Sequence, residues 1–275
     1  MPVKTLLVCL MNKEHADTVL SAAVPLARAN NAHLIGLHTV EALLVYPGIA
    51  MHVPDEAFTE FHESQKEEAE AIEAIFKRHT DNEDFISEWR LVRAEATSAA
   101  QRMIESAHAA DLVIMPNSDP DIDRGDQRDV QARVIRNGGR PVIVVPSNYD
   151  GAPIGANVVV GWSNTREAAR AAHDLIPVAH PGGTISVVRI DGNAGDELSD
   201  FEAIDIAGMY DRHGLRAKMV HREKGGDKVA KALMQYAFES GADLLVTGAF
   251  GHSRAYDFVV GAVTYQLLRE AKIPV

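Results

Sequence analysis

The chain has one cysteine in 275 residues, which excludes an internal disulfide framework. Cys9 lies inside the apolar run Thr5 to Leu10, where a free thiol packs as a small hydrophobe. Long apolar runs are also missing. The longest, Leu34 to Met51, is broken by His38, Glu41 and Pro47, so it falls short of the roughly 20 uninterrupted residues that a bilayer span requires. Met1-Pro2-Val3-Lys4 leads straight into a strand-like run without the zones of a signal peptide, and the expected location is the cytoplasm. Positive charge is scarce: 27 Lys and Arg face 39 Asp and Glu, a net charge of -12. That balance, without clustered Lys and Arg, opposes attraction to nucleic-acid phosphates, so neither nucleic acid nor membrane is an expected partner.

What is present is ordinary globular composition, 46% hydrophobic and 24% charged, in a chain long enough for two domains that each bury a core. A self-comparison shows the two. Thr5 to Leu10 is an apolar strand followed by Asn12-Lys13-Glu14-His15-Ala16 and an Ala-rich helix. Asn157 to Gly161 is its counterpart, followed by Asn164-Thr165-Arg166-Glu167-Ala168 and another helix. Matching strands follow at His33 to Val40 and Thr184 to Ile190. Later, Ala110-Asp111-Leu112-Val113-Ile114-Met115 parallels Ala242-Asp243-Leu244-Leu245-Val246-Thr247, after amphipathic helices at Ser98 to Ala107 and Lys228 to Glu239. Each half then reaches a Pro-Val pair, Pro141-Val142 or Pro274-Val275, opening a last strand. The first copy carries an additional amphipathic helix, Pro54 to Arg78.

This reading gives domains at 1–147 and 154–275, joined by the turn-rich segment Ser147 to Pro153. Continuous Val, Ile and Leu runs between helices are strands buried on both faces, hence parallel strands joined by right-handed crossovers. Each half is expected to be an open doubly wound α/β sheet of about five strands. Ligands in such sheets sit at the carboxyl ends of strands where the strand order reverses, here after the first and fourth strands of each half.

After the fourth strand of the second half the sequence reads Gly248-Ala249-Phe250-Gly251-His252-Ser253-Arg254, and later Gly261-Ala262-Val263-Thr264 opens a helix. The spacing is G-x2-G-x9-G. Glycines without a Cβ allow close approach of backbone to a ligand, and the free amides of a helix N-terminus favour a bound anion. Packing and turn geometry alone are the alternative use of these glycines. His252 and Arg254 lie within the loop, in reach of phosphate oxygens or simply facing solvent. Neither a Walker A sequence nor a G-x-G-x-x-G fingerprint is present, and Ser253 lacks the elbow of a serine hydrolase.

The corresponding loop of the first half, Pro116-Asn117-Ser118-Asp119-Pro120-Asp121-Ile122-Asp123, lacks glycine at the first two positions. Its carboxylates would repel a phosphate, so no nucleotide is expected there. As a cation site it lacks the glycine and distal glutamate of a calcium loop, and a solvated loop is expected. The 12 histidines form no recognised ligand motif, and no metal is expected.

The strand and helix order, the Gly248 to Thr264 loop and the opening Val160-Gly161-Trp162-Ser163-Asn164-Thr165-Arg166-Glu167-Ala168 resemble the universal stress protein family in its two-domain form, over essentially the whole chain. The resemblance implies two Rossmann-like domains packed as an internal pseudo-dimer, with a homodimer open. It also implies an adenine-nucleotide site in the second domain that takes ATP, with or without magnesium, and acts in stress sensing or regulation. Thr247, Gly248, Gly251, Gly261, Ala262 and Val263 would then bind ribose and phosphates, with Ser163 and Arg189 at the ends of the first two strands framing the base. Two positions depart from the family pattern: Ala262 stands where a hydroxyl residue is expected, and Ser163 where an aspartate is usual. Thr264 offers a nearby hydroxyl. The loop supplies amides for phosphate but no evident general base or magnesium carboxylate, so the expectation is binding rather than turnover. Slow ATP hydrolysis and a nucleotide-free interaction module are the alternatives.

Overall fold

The computed structural model describes residues 2–41, 54–94, 97–119, 121–122, 129–191, 200–223, 228–250 and 261–275. Contacts divide the chain into two compact units, Lys4–Val142 in one and Met1–Val3 with Ile143–Val275 in the other.

The first unit runs β1 (Thr5–Cys9), α1 (Lys13–Asn30), β2 (His33–Glu41), α2 (Asp55–Thr80), β3 (Ser87–Ala94), α3 (Ala99–Ala107), β4 (Leu112–Pro116), α4 (Val130–Asn137) and β5 (Val142–Val145), whose last residues fall in the second unit. The sheet order is β3-β2-β1-β4-β5. The chain therefore winds outward from β1 in one direction and returns to fill the other, placing the reversal between β1 and β4. Strand β4 is apolar and buried throughout, and β1 from Leu6 to Cys9, as central parallel strands covered on both faces must be. Helix α1 packs with α2, and α3 with α4.

The second unit repeats the pattern with β6 (Asn157–Gly161), α5 (Arg166–Asp174), β7 (Thr184–Asp191), α6 (Asp200–Arg212), β8 (Arg216–Glu223), α7 (Val229–Glu239), β9 (Leu244–Thr247) and α8 (Ala262–Glu270). Its sheet order is β8-β7-β6-β9. Four strands replace the expected five among the described residues. Only Pro274 and Val275 reach the fifth place, where the Pro274 carbonyl accepts from the Leu245 amide at 2.9 Å. Val275 exchanges two backbone hydrogen bonds with Val144 of β5, at 2.8 and 3.0 Å. A two-residue segment makes these bonds without forming a strand of its own.

Both repeats use the same device to set the start of the fourth strand. The Asp111 carboxylate accepts from the amides of Lys4 and Thr5 at 2.8 and 2.9 Å. Asp243 accepts from Gly155, Ala156 and Asn157 at 2.7, 2.9 and 2.7 Å. The Ala-Asp-Leu step seen in the sequence is thus a staple between neighbouring strand starts, and a carboxylate suits it because it accepts from several amides at once.

Helix starts follow their sequence signals. Asn12, Ser98 and Thr165 are N-caps whose side chains accept from His15, Gln101 and Ala168, satisfying amides that lack intrahelical partners. Helix α2 covers the expected additional segment, burying Gln65, Ala69, Ile72 and Phe76 along one stripe while none of its Glu and Lys residues is buried.

Candidate functional site

At the carboxyl edge of the second sheet, register pairs Gly161 with Thr247 and with Val188. The ends of β6, β7 and β9 therefore meet where the strand order reverses. Gly161 is crowded by side-chain methyl groups: a Cβ there would lie 2.9 Å from Leu233 Cδ1 and 3.0 Å from Thr247 Cγ2. Gly248 follows β9 and is tighter still, since a Cβ would lie 2.6 Å from the Ala168 nitrogen and 2.7 Å from the Glu167 carbonyl carbon. The backbone after β9 is thereby pressed against the first turn of α5, and only glycine permits it.

Helix α8 opens on Gly261, whose φ of 91° and ψ of 3° are left-handed, and among the described residues no side chain caps its first turn. Uncapped first-turn amides and the positive end of the helix dipole are the elements of an anion seat. Ala262 is exposed and Val263 half-buried. Thr264 is buried, and its hydroxyl oxygen accepts from the Phe250 amide at 3.3 Å. The hydroxyl named from sequence as a nearby donor is thus engaged with the loop's own backbone. Phe250 itself has a φ of 53°, and its ring meets Tyr265 edge-on at 5.5 Å.

On the other side, Ser163 is exposed, with its hydroxyl 3.3 Å from that of Thr165. The Trp162 amide donates to the Val188 carbonyl at 2.8 Å, extending β6 toward β7. Arg189 is half-buried on β7, in register with His221 of β8. The structure thus brings Thr247, Gly248, Gly261, Ala262, Val263 and Thr264 to one edge with Ser163 and Arg189. Gly251, His252 and Arg254 lie outside the described residues.

The matching edge of the first unit has a different character. A cleft of about 680 Å³ is lined by Asn12, Lys13, Glu14, Ser64, Glu67, Glu68, Ala71, Asp121 and Ile122, so four carboxylates face one ammonium. Helix α4 opens on Asp129 with a φ of 60° and a ψ of 4°, left-handed like Gly261 but carrying its own anion. His15, 3% exposed, lies with Nε2 3.5 Å from the Asp119 carboxylate. Neither of its ring nitrogens has a hydrogen-bond partner among the described residues. His38 is fully buried with Nδ1 2.7 Å from the Leu10 carbonyl. The apolar run of β2 accounts for the interior place of His38, whereas nothing in the local sequence marks His15 as interior; its surroundings come from a loop distant in the chain. Asp123 lies outside the described residues. Among the described residues no group of three or more His, Cys, Asp or Glu could hold a metal, and no helix is long and apolar enough to cross a membrane.

Comparison with known proteins places this geometry. A curated relative, universal stress protein Slr1230 of Synechocystis, is 44% identical over 45 residues, a stretch covering 16% of each chain. The solved structure of a universal stress protein from Archaeoglobus fulgidus matches 98% of this chain and 94% of its own, with a TM-score of 0.68 at 15% identity. The functionally unknown protein PA1789 of Pseudomonas aeruginosa matches 99% of this chain and 91% of its own, with a TM-score of 0.52 at 12% identity. At such identities the likeness of structures speaks to the fold alone. The model of the universal stress protein family matches residues 2–146 and again 156–275; the chain belongs to that family, as a tandem of two copies.

Proposed function

We propose that the second domain binds ATP or a related adenine nucleotide and that occupancy serves a stress-response sensor or regulator. The observation that carries this reading is the entry to α8: a left-handed glycine with no capping side chain, at the carboxyl edge of a parallel sheet directly after the β9 glycine turn. The donor set fits a phosphate chain, because first-turn amides supply hydrogen bonds and Gly248 lets the backbone run close beneath the ligand. Ser163 and Arg189 stand at the strand ends where base and ribose would lie. Ala262 in place of a hydroxyl residue removes about one hydrogen bond, about 1 kcal/mol net, which lowers affinity several-fold without abolishing it.

Binding without turnover is the part of this reading that rests on residue types. Magnesium would arrive with the nucleotide, since the described part of this edge holds no carboxylate cluster for a resident ion. In the first domain, Glu14, Glu67, Glu68 and Asp121 around the cleft and Asp129 at the helix entry oppose a phosphate.

The test is the melting temperature with and without millimolar MgATP, in the parent and in Gly251→Asp. ATP at a hundred times its dissociation constant stabilises by about 2.7 kcal/mol. The expected result is an upward shift in the parent that the variant loses. No shift in either protein would discard nucleotide binding and leave an interaction module.

A further inference from the structure

Phe250 lies in the glycine loop as its last described residue before Gly251, and three contacts tie it to the start of α8. Its amide donates to the Thr264 hydroxyl at 3.3 Å. Its ring meets Tyr265 edge-on, with centroids 5.5 Å apart and an interplanar angle of 75°. The ring also fills the side of Gly261 where a Cβ would point, since such an atom would lie 2.6 and 2.8 Å from its Cδ1 and Cε1. These contacts hold Phe250 against the start of α8. They also hold an aromatic residue at a φ of 53°, a left-handed conformation that bulky residues avoid and that persists only where surroundings enforce it. The counterpart of Phe250 in the first repeat is Ser118, which carries no ring.

The ring therefore rests against the same uncapped first turn that would receive a phosphate. An apolar ring and a hydrated anion are poor neighbours, because the anion must shed water there without gaining a donor. We propose that Phe250 is an internal plug of the phosphate seat: without ligand it occupies the entry to α8, and a nucleotide binds by displacing it. This rests on the nucleotide reading of the same edge. The plug makes the site respond to nucleotide by opening a defined contact, a two-state element biased by the ligand.

The experiment is MgATP affinity by calorimetry on the full chain, for the parent, Phe250→Ala and Phe250→Gly. It is joined by hydrogen exchange at the amide of residue 250. Losing the aromatic pair and ring contact removes what the nucleotide must displace, and Phe250→Ala is expected to bind ATP about tenfold more tightly. In the parent, ATP is expected to speed exchange at the Phe250 amide as its bond to Thr264 opens. Phe250→Gly, which accepts a left-handed backbone freely, serves where Phe250→Ala does not fold. Equal or weaker binding in the Phe250 variants, with the parent still binding ATP, overturns the plug and leaves the nucleotide reading in place. No binding in parent or variants overturns both.

Discussion

Helix α4 begins at Asp129 and helix α8 at Gly261, and both residues are left-handed, with ψ angles of 4° and 3°. The two repeats therefore keep one backbone path into the helix after the fourth strand while reversing what stands there, a carboxylate in the first and a bare Cα in the second. The first half also has a cleft whose charged lining is mostly acidic, whereas the second half adds Gly248 pressed on the first turn of α5. Fold and site are thus separable: apolar strands and aspartate staples build the sheet twice, and a few positions at its carboxyl edge set the charge found there.

The largest effect that would sharpen this comparison comes from a second pair, the fully buried Cys9 and the half-buried Gly161, which end the first strand of each sheet. Burial pushes the Cys9 thiol up from 9.0 to about 12. Below pH 9 the thiol is protonated in both states and makes no pH-dependent contribution. As pH rises from 9 toward 12 the unfolded chain sheds the proton while the folded chain keeps it, so stability falls. The limit is about 4 kcal/mol, at about 1.4 kcal/mol per pH unit. Urea unfolding at pH 8 and pH 11 should show the parent losing more than Cys9→Ala, whose alkaline loss comes only from the groups the two proteins share, such as Tyr149 and Tyr210. Parallel losses would mean that Cys9 is hydrated on the folded side and that the first strand end is looser than its packing.

The staples give a smaller contrast. Asp243 holds three amides and is half-buried, while Asp111 holds two and is exposed. Asparagine keeps the shape but turns an amide donor toward backbone donors. Asp243→Asn is expected to cost about 2–3 kcal/mol and Asp111→Asn about 1 kcal/mol, the exposed pair being screened by solvent. The urea midpoints measure both. A larger loss from Asp111→Asn would show that the first repeat depends more on this joint than its geometry implies.

How much of this was legible in sequence follows burial. Strands β1, β2, β4, β6, β7 and β9 read as continuous apolar runs because both faces are covered. Strands β3 and β8 were expected only by number, since edge strands such as Ser-Glu-Trp-Arg-Leu-Val-Arg-Ala carry charge on exposed positions that breaks both the apolar run and a clean alternation. Helix α6 likewise gave no sequence signal that fixed its place. Gly248 and Gly261 were legible because glycine spacing is local. The seat of Phe250 against Gly261 and Tyr265 was not, because a left-handed aromatic is set by tertiary contacts that no local pattern encodes. His15 beside Asp119 escaped for the same reason, joining the first turn of α1 to a loop about a hundred residues later.

The smallest expected effect is also the sharpest on the site. Asp129→Gly gives α4 the residue that opens α8 and isolates charge from backbone shape. Removing the carboxylate loses a favourable interaction with the helix dipole of about 0.5 kcal/mol. Glycine at a φ of 60° relieves backbone strain of similar size, so the melting temperature should barely change. If the helix entry alone kept nucleotide out of the first domain, this variant would take up a second equivalent of MgATP in a calorimetric titration. The expectation is that stoichiometry stays at one per chain, because Glu14, Glu67, Glu68 and Asp121 still line the cleft and like charges within a few ångströms repel a triphosphate even with one residue removed. A second equivalent would move the decisive difference between the repeats from the cleft as a whole to the single position where α4 begins.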